Sequence, residues 1–240
     1  YTIEQIVGGD HAMVQTDIEI VTRNGQPRTW SLNASSPGRL RDGRRYVVAM
    51  ALDITERKRA EALMRRSAAR AAFRVSVSDL LRPLQDTVEI QCAAATALCE
   101  HLGADRTLYA EVDENGNTVR VHTDHCREGV ASASGQHELT SFGDEIGHRL
   151  RAGRTVVLDD AHASSTLGQH ERDAYEQVHV RAHVSVPLVK EGRLCALLSV
   201  QQASPRLWAG DEIALIEETA ERTWASIART RAENAVREGE

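Results

Sequence analysis

The sequence predicts an α+β chain with more than one folding unit. A strand-and-turn opening is followed by a charged stretch free of Gly and Pro. After it, apolar runs of period two alternate with runs of period three to four.

Residues 17–21 and 28–33 alternate or are β-branched, and Arg23-Asn24-Gly25-Gln26 between them carries the Asn-Gly of a tight turn. A second turn, Arg41-Asp42-Gly43-Arg44, precedes the apolar run 46–52, which completes three antiparallel strands. Three strands without helices bury their faces poorly, so this piece reads as the end of a domain.

Residues 56–72 are strong helix formers and predict a stiff linker helix. Its apolar positions Ala60, Leu63, Met64, Ala68 and Ala71 make one narrow stripe. That stripe either packs on its own domain or pairs with a second copy, and the spacing allows both.

Pro83 suits the first turn of a further helix, whose apolar face (Val88, Ile90, Ala94, Ala97, Leu98) runs to a stop at Gly103. Strands at 107–112 and 118–122 flank the turn Asp113-Glu114-Asn115-Gly116-Asn117. A helix at 142–152, a strand at 154–159 and a helix at 171–178 follow. Strands 182–189 and 194–200, joined at Lys190-Glu191-Gly192-Arg193, form the most apolar hairpin. Past Pro205 and Trp208, residues 210–238 predict a long helix. Its stripe Ile213, Ile216, Ala220, Thr223 and Ile227 could leave the domain as a coiled-coil strand.

Acidic and basic residues, 35 against 29, alternate without blocks and leave a net charge of -6, so neither nucleic acid nor an anionic membrane is an expected partner. No apolar stretch reaches the roughly 18 residues of a membrane span. Residues 1–10 lack the features of a secretion signal, and Tyr1 reads as a boundary within a longer chain. The cysteines, at 92, 99, 126 and 195, have no C-x-x-C spacing, which suits free thiols in a reducing cytoplasm.

Strand three closes in Asp53-Ile54-Thr55-Glu56-Arg57-Lys58-Arg59-Ala60-Glu61, which resembles the C-terminal end of a PAS domain. The block Val180-Arg181-Ala182-His183-Val184-Ser185-Val186-Pro187-Leu188-Val189, with Gly192-Arg193-Leu194 and Ser204-Pro205-Arg206-Leu207-Trp208, resembles a GAF domain. Its wording is similar to the GAF domains of phytochromes and phytochrome-like sensor kinases. The resemblance implies a six-stranded antiparallel sheet with helices on one face and a ligand cleft on the other. It divides the chain into a PAS remnant (1–55), a helical linker (56–77), a GAF domain (78–233) and the start of a second helical linker (234–240).

The candidate ligand-binding residues are Tyr109, Asp159, Tyr175, His183, Ser185 and Gln201. A bilin is not expected: Gln201 and Gln202 stand where phytochromes place two histidines, and His170-Glu171 stands in the slot that holds Cys-His in plant phytochromes. Among the pocket positions only Ser185 agrees. Phe142-Gly143-Asp144-Glu145 echoes a cyclic-nucleotide signature at the wrong spacing. The residues name no other cofactor.

His122-Thr123-Asp124-His125-Cys126 groups metal-capable side chains but lacks a fourth ligand, and reads as a polar strand end. His162, His170, His179 and His183 lie near the cleft and could titrate there. Cys92 and Cys99 share a helix face and read as packing residues. Asp159-Asp160 reads as a capping pair. No phosphate loop, nucleophile elbow or zinc-protease motif occurs, so the chain is expected to be non-catalytic. The expected role is a cytoplasmic sensory module, a homodimer through its helical linkers, that relays binding of a small ligand in a sensor histidine kinase. A ligand-free dimerisation spacer and a bilin-type photosensor are the competing readings.

Overall fold

The computed structural model describes residues 13–238 and divides into two compact units, residues 1–69 and 70–240. The reading of residues 1–10 lies outside the described part, as do the last residues of the second linker.

The first unit holds an antiparallel sheet in the order β1 (Met13–Val21), β2 (Pro27–Arg39), β3 (Arg45–Asp53). The Asn-Gly turn closes the first hairpin, with Gly25 at φ 74° and the Thr22 amide donating to Gln26 O at 2.9 Å. β2 runs to Arg39, past the predicted end at 33, and accommodates Pro37, which has no amide to donate, in a register shift between Ser35 and Gly38. The Asp-Ile-Thr at the end of β3 is a structural joint. Asp53 Oδ1 accepts from the Thr55 amide (2.9 Å) and hydroxyl (2.5 Å), while Thr55 Oγ1 accepts from the Thr29 amide at 2.9 Å. These bonds start the helix α1 (Thr55–Leu81).

Residues 56–69 of α1 are exposed on every side, including Leu63 at 66% and Met64 at 73%. Of the two alternatives for its apolar stripe, packing on its own domain does not occur there. Burial begins only with Phe73, Val77 and Leu81, all in the second unit. The helix continues past 72, and Pro83 lies in the break after it instead of in a first turn.

The second unit contains α2 (Thr87–Leu102), β4 (Arg106–Val112), β5 (Thr118–Cys126), β6 (Gly135–Glu138), a 3-10 turn (Leu139–Phe142), α3 (Asp144–Arg151), β7 (Val156–Leu158), α4 (Gln169–Gln177), β8 (Ala182–Lys190), β9 (Arg193–Gln202) and α5 (Gly210–Glu238). The strands form a six-stranded antiparallel sheet in the order β6-β5-β4-β9-β8-β7, so the apolar β8–β9 hairpin is central as expected. Its turn places Glu191 (φ 53°) and Gly192 (φ 75°) in the left-handed region, the conformation that a two-residue hairpin loop requires.

Strand alternation divides the buried residues into two cores. Val184, Val186 and Leu188 of β8, with Leu198 and Val200 of β9, meet Leu81, Ile90, Leu98, Ile216 and Ile227 on one face. Leu108, Ala110, Val121 and Leu197 meet Leu139, Ile146, Leu150 and Tyr175 on the other. The stripe of α5 is therefore spent within its own unit. Ile216, Ala220, Thr223 and Ile227 are all at most 1% exposed and unavailable to a coiled coil. Arg70 and Arg74 both reach Glu218, at 2.5 and 3.0 Å, and fasten the end of α1 to α5.

α2 is delimited at both ends. Asp86 Oδ1 accepts from the Val88 and Glu89 amides at 2.8 and 2.9 Å, and Gly103 closes the helix at φ 58°. Ser204-Pro205-Arg206-Leu207-Trp208 is likewise structural. Arg206 donates to Leu102 O (2.9 Å) and Glu212 (2.7 Å) and stacks over Trp208 at 4.4 Å. Replacing Asp86 with Ala is expected to lower unfolding stability by about 1 kcal/mol. Leu198→Ala should cost roughly 2–5 kcal/mol. Urea denaturation followed by circular dichroism reads both.

Candidate functional site

On the sheet face away from α2 and α5, strands β4, β5, β8 and β9 form the floor of a cavity of about 80 Å³ roofed by α3, α4 and the 3-10 turn. Its walls are mostly aliphatic, and a single polar row crosses the floor. Period-two alternation produces that row: while even-numbered residues of β8 enter the helix-side core, His183 and Ser185 face the cavity, as do Ser199 and Gln201 of β9.

Strand register then aligns these side chains. Ser185 pairs with Ser199, His183 with Gln201, and Gln201 with Arg106 of β4. The result is one continuous hydrogen-bonded chain. Tyr175 Oη meets His183 Nε2 at 2.9 Å, His183 Nδ1 meets Ser185 Oγ at 3.0 Å, and Ser185 Oγ meets Ser199 Oγ at 2.9 Å. Gln201 Nε2 donates to Ser199 Oγ at 3.3 Å, and Arg106 Nε donates to Gln201 Oε1 at 2.6 Å.

Only the Arg106–Gln201–Ser199 end has a fixed direction. From Ser199 to Tyr175 every group both donates and accepts, so the protons can run either way. In one arrangement Tyr175 donates to the imidazole; in the other His183 donates from Nε2 and frees the tyrosine proton. Burial holds the imidazole pKa down at about 4 and pushes the Tyr175 hydroxyl above the ordinary tyrosine range. His183 is therefore neutral at physiological pH and acts as a relay of hydrogen bonds, not as a cation.

Four of the six candidate residues, Tyr175, His183, Ser185 and Gln201, line this cavity together. The other two do not. Tyr109 faces the helices in the opposite core and is 1% exposed, because its strand position has the parity opposite to Leu108 and Ala110. Asp159 anchors the 205–208 segment instead: its carbonyl accepts from the Arg206 amide at 3.0 Å and its carboxylate from the Trp208 amide at 3.4 Å. Asp160 forms a two-bond pair with Arg181, both contacts at 2.8 Å. Of the four histidines expected near the cleft, only His183 lines the cavity. His179 instead closes α4 at φ 54°.

Sequence reasoning missed Arg106, Ser199 and His137. Arg106 opens an otherwise apolar strand, and Ser199 stands two residues before Gln201. Polar residues at every second position of two strands that pair were the available signal.

The His122–Cys126 cluster is dispersed by an extra residue in β5 opposite Leu108–Ala110. His125 Nδ1 lies 3.1 Å from Thr96 Oγ1 and His122 Nε2 lies 3.6 Å from Glu111. Asp124 accepts from Ser132 Oγ and the Ala133 amide at 2.6 Å each. Among the described residues no three His, Cys, Asp or Glu side chains converge as a metal site.

Because His183 has a pKa of about 4 in the folded chain against an ordinary 6.5, both states are neutral above pH 6.5. Below it the unfolded chain takes up a proton that the folded chain refuses. Unfolding free energy should fall between pH 6.5 and 4 by on the order of 3 kcal/mol from this group. Urea titrations across that range should show a flatter profile for His183→Gln.

The GAF domain family profile matches residues 86–227. Among solved structures, the blue-light absorbing form of the Thermosynechococcus elongatus PixJ GAF domain is 25% identical. It aligns over 64% of this chain and 92% of that one, with a TM-score of 0.56. Free methionine-R-sulfoxide reductase from Neisseria meningitidis, in complex with its substrate, is 15% identical over 68% of this chain and 91% of that one, with a TM-score of 0.55. Residues 122 to 287 of a methyl-accepting chemotaxis protein are 19% identical over 66% of this chain and 99% of that one, also at 0.55. No curated protein matches. A light-absorbing domain, a reductase and a chemotaxis protein share this architecture, so the architecture alone assigns no activity. The match over residues 86–227 spans more than half of the 240, and the chain belongs to the GAF domain family.

Proposed function

We propose that this chain is a non-catalytic sensory module of a bacterial signalling protein, a sensor histidine kinase, whose GAF cavity binds a small molecule in the cytoplasm. The observation that carries this reading is a half-open cavity with aliphatic walls and one convergent polar row, the usual composition of a small-molecule site. The similar structures from a light-absorbing receptor and a chemotaxis protein support a signalling role. The cavity's volume of about 80 Å³ opposes a bilin, since pockets for drug-sized ligands measure roughly 300 Å³ or more.

The first unit is proposed to be the C-terminal part of a PAS domain. The Asp53-Ile54-Thr55 joint supports this, as do Val48, Met50 and Leu52 of β3, which are 53%, 65% and 62% exposed. Such an apolar row on an edge strand calls for a cover that a complete domain would supply.

Relay is assigned to the helices. α1 carries Met64, Ala68, Ala71 and Val75 at spacings of four, three and four, all exposed, which suits a seam with a second copy. α5 responds differently, through its buried packing on the sheet. Coupling requires that the ligand favour one of two packings. No helix among the described residues is long and apolar enough to cross a membrane.

A thermal-denaturation screen of small molecules should find ligands that raise the melting temperature of the wild type by several degrees but not that of Ala110→Leu, which fills the cavity. If no compound acts, and Ala110→Leu leaves the signalling output of the full protein unchanged, the chain is a spacer. For the seam, sedimentation equilibrium should show a dimer that Met64→Glu converts to monomer. A monomeric wild type would overturn the dimer.

A further inference from the structure

Arg106 is only 3% exposed, yet it stands in the wall of the cavity. Its three hydrogen bonds all go to neutral acceptors: Gln201 Oε1 at 2.6 Å, Ala131 O at 2.8 Å and Val178 O at 2.9 Å. A guanidinium carries five N–H donors, so two remain without a partner among the described residues. No ion pair among those residues includes Arg106.

The acids around it make no direct ion pair with it, although the Asp124 carboxylate acts on the guanidinium through space. Asp124 gives its oxygens to Ser132, Ala133 and the Cys126 thiol. Asp105 is held by Arg127 at 2.5 Å and accepts from the Ala203 amide at 2.8 Å. Other partly buried cations of this chain, such as Arg181 and Arg70, do have carboxylate partners. An isolated buried charge costs several kcal/mol unless something compensates it. Asp124 offsets part of that cost at a distance, and the position open to a direct counter-charge is the cavity.

The cavity is also divided in polarity. Arg106, Gln201, Ser199 and His183 lie along the floor, whereas Leu139, Ile146 and Leu150 belong to the aliphatic roof. A matching molecule is an anion with a short hydrocarbon body. Planar, two-oxygen anions suit a guanidinium fork best. Size restricts it further: about 80 Å³ is roughly half the ~150 Å³ that accommodates benzene, which allows on the order of three to five heavy atoms.

We propose that the cavity binds a short-chain monocarboxylate, with its carboxylate against Arg106 and Gln201 and its hydrocarbon end against Leu139, Ile146 and Leu150. This rests on the reading of the cavity as a ligand site and specifies what that site takes.

The test is calorimetric titration of the chain with sodium propionate and sodium butyrate, against propionamide and butyramide at equal ionic strength. The acids are expected to bind about 10- to 100-fold more tightly than the amides, the range of a charge-assisted hydrogen bond. Arg106→Gln should lose acid binding. Because that variant also gives up bonds to Ala131 and Val178 and can fail to fold, Gln201→Glu provides the second arm. It supplies an internal counter-charge at the position that Nε already contacts, so it should abolish acid binding while raising the melting temperature. Equal binding of acids and amides overturns the proposal and leaves the cavity a site for neutral molecules. Unchanged acid binding in Gln201→Glu also overturns it. Binding of neither class overturns it too, and the thermal screen with Ala110→Leu then decides whether the cavity takes any ligand.

Discussion

Everything in the second unit depends on three adjacent strands, β4, β9 and β8, being buried on both faces. A strand at the edge can leave one face to water, but these three cannot, so a polar side chain on them costs free energy unless it finds a partner; the buried Tyr109 hydroxyl on the helix side of β4 is an exception that finds none among the described residues. On the helix side the requirement is met by aliphatic packing of Val184, Val186, Leu188, Leu198 and Val200. On the cavity side it is met differently. His183, Ser185, Ser199 and Gln201 satisfy one another in a line that ends on Arg106. The same pairing register that builds the sheet therefore also assembles the site.

That arrangement explains why the polar row tolerates burial. Each member has a neighbour in the row, along its own strand (His183–Ser185, Ser199–Gln201), across to the next strand (Ser185–Ser199) or on α4 (Tyr175), at distances near 3 Å, so the desolvation cost is offset along the row. The charge at the Arg106 end is not neutralised in this way. A row of neutral groups that ends on a cation without a direct ion pair is polarised toward that terminus.

The two long helices differ in what they contribute. α5 is committed to the core through Ile216, Ala220 and Ile227, so a change in sheet packing reaches it directly. The first half of α1 leaves its apolar residues, Leu63 and Met64 among them, in solvent. One helix is packed on the sheet along its apolar stripe, and the other leaves the apolar residues of its first half exposed.

The sequence by itself determined the class and most of the elements, though not the short strand β6, whose Gly135-Gln136-His137-Glu138 carries no alternation. Asn24-Gly25, Asp42-Gly43 and Gly192 marked the turns, the β8–β9 hairpin was legible as the most apolar stretch, and Gly103 marked the end of α2, because these signals are local. His183, Ser185 and Gln201 were legible as polar residues on central strands. Tertiary structure alone decided which of the candidates share a face. Tyr109 differs from Ala110 by one position and so by one side of the sheet, and Asp159 was recruited by the Arg206–Trp208 segment. Arg106 and Ser199 joined the site through cross-strand register between segments distant in sequence. The fate of each helical stripe was also decided there: a period of three to four states that one face is apolar, but whether a sheet or solvent meets that face depends on packing the sequence does not encode locally.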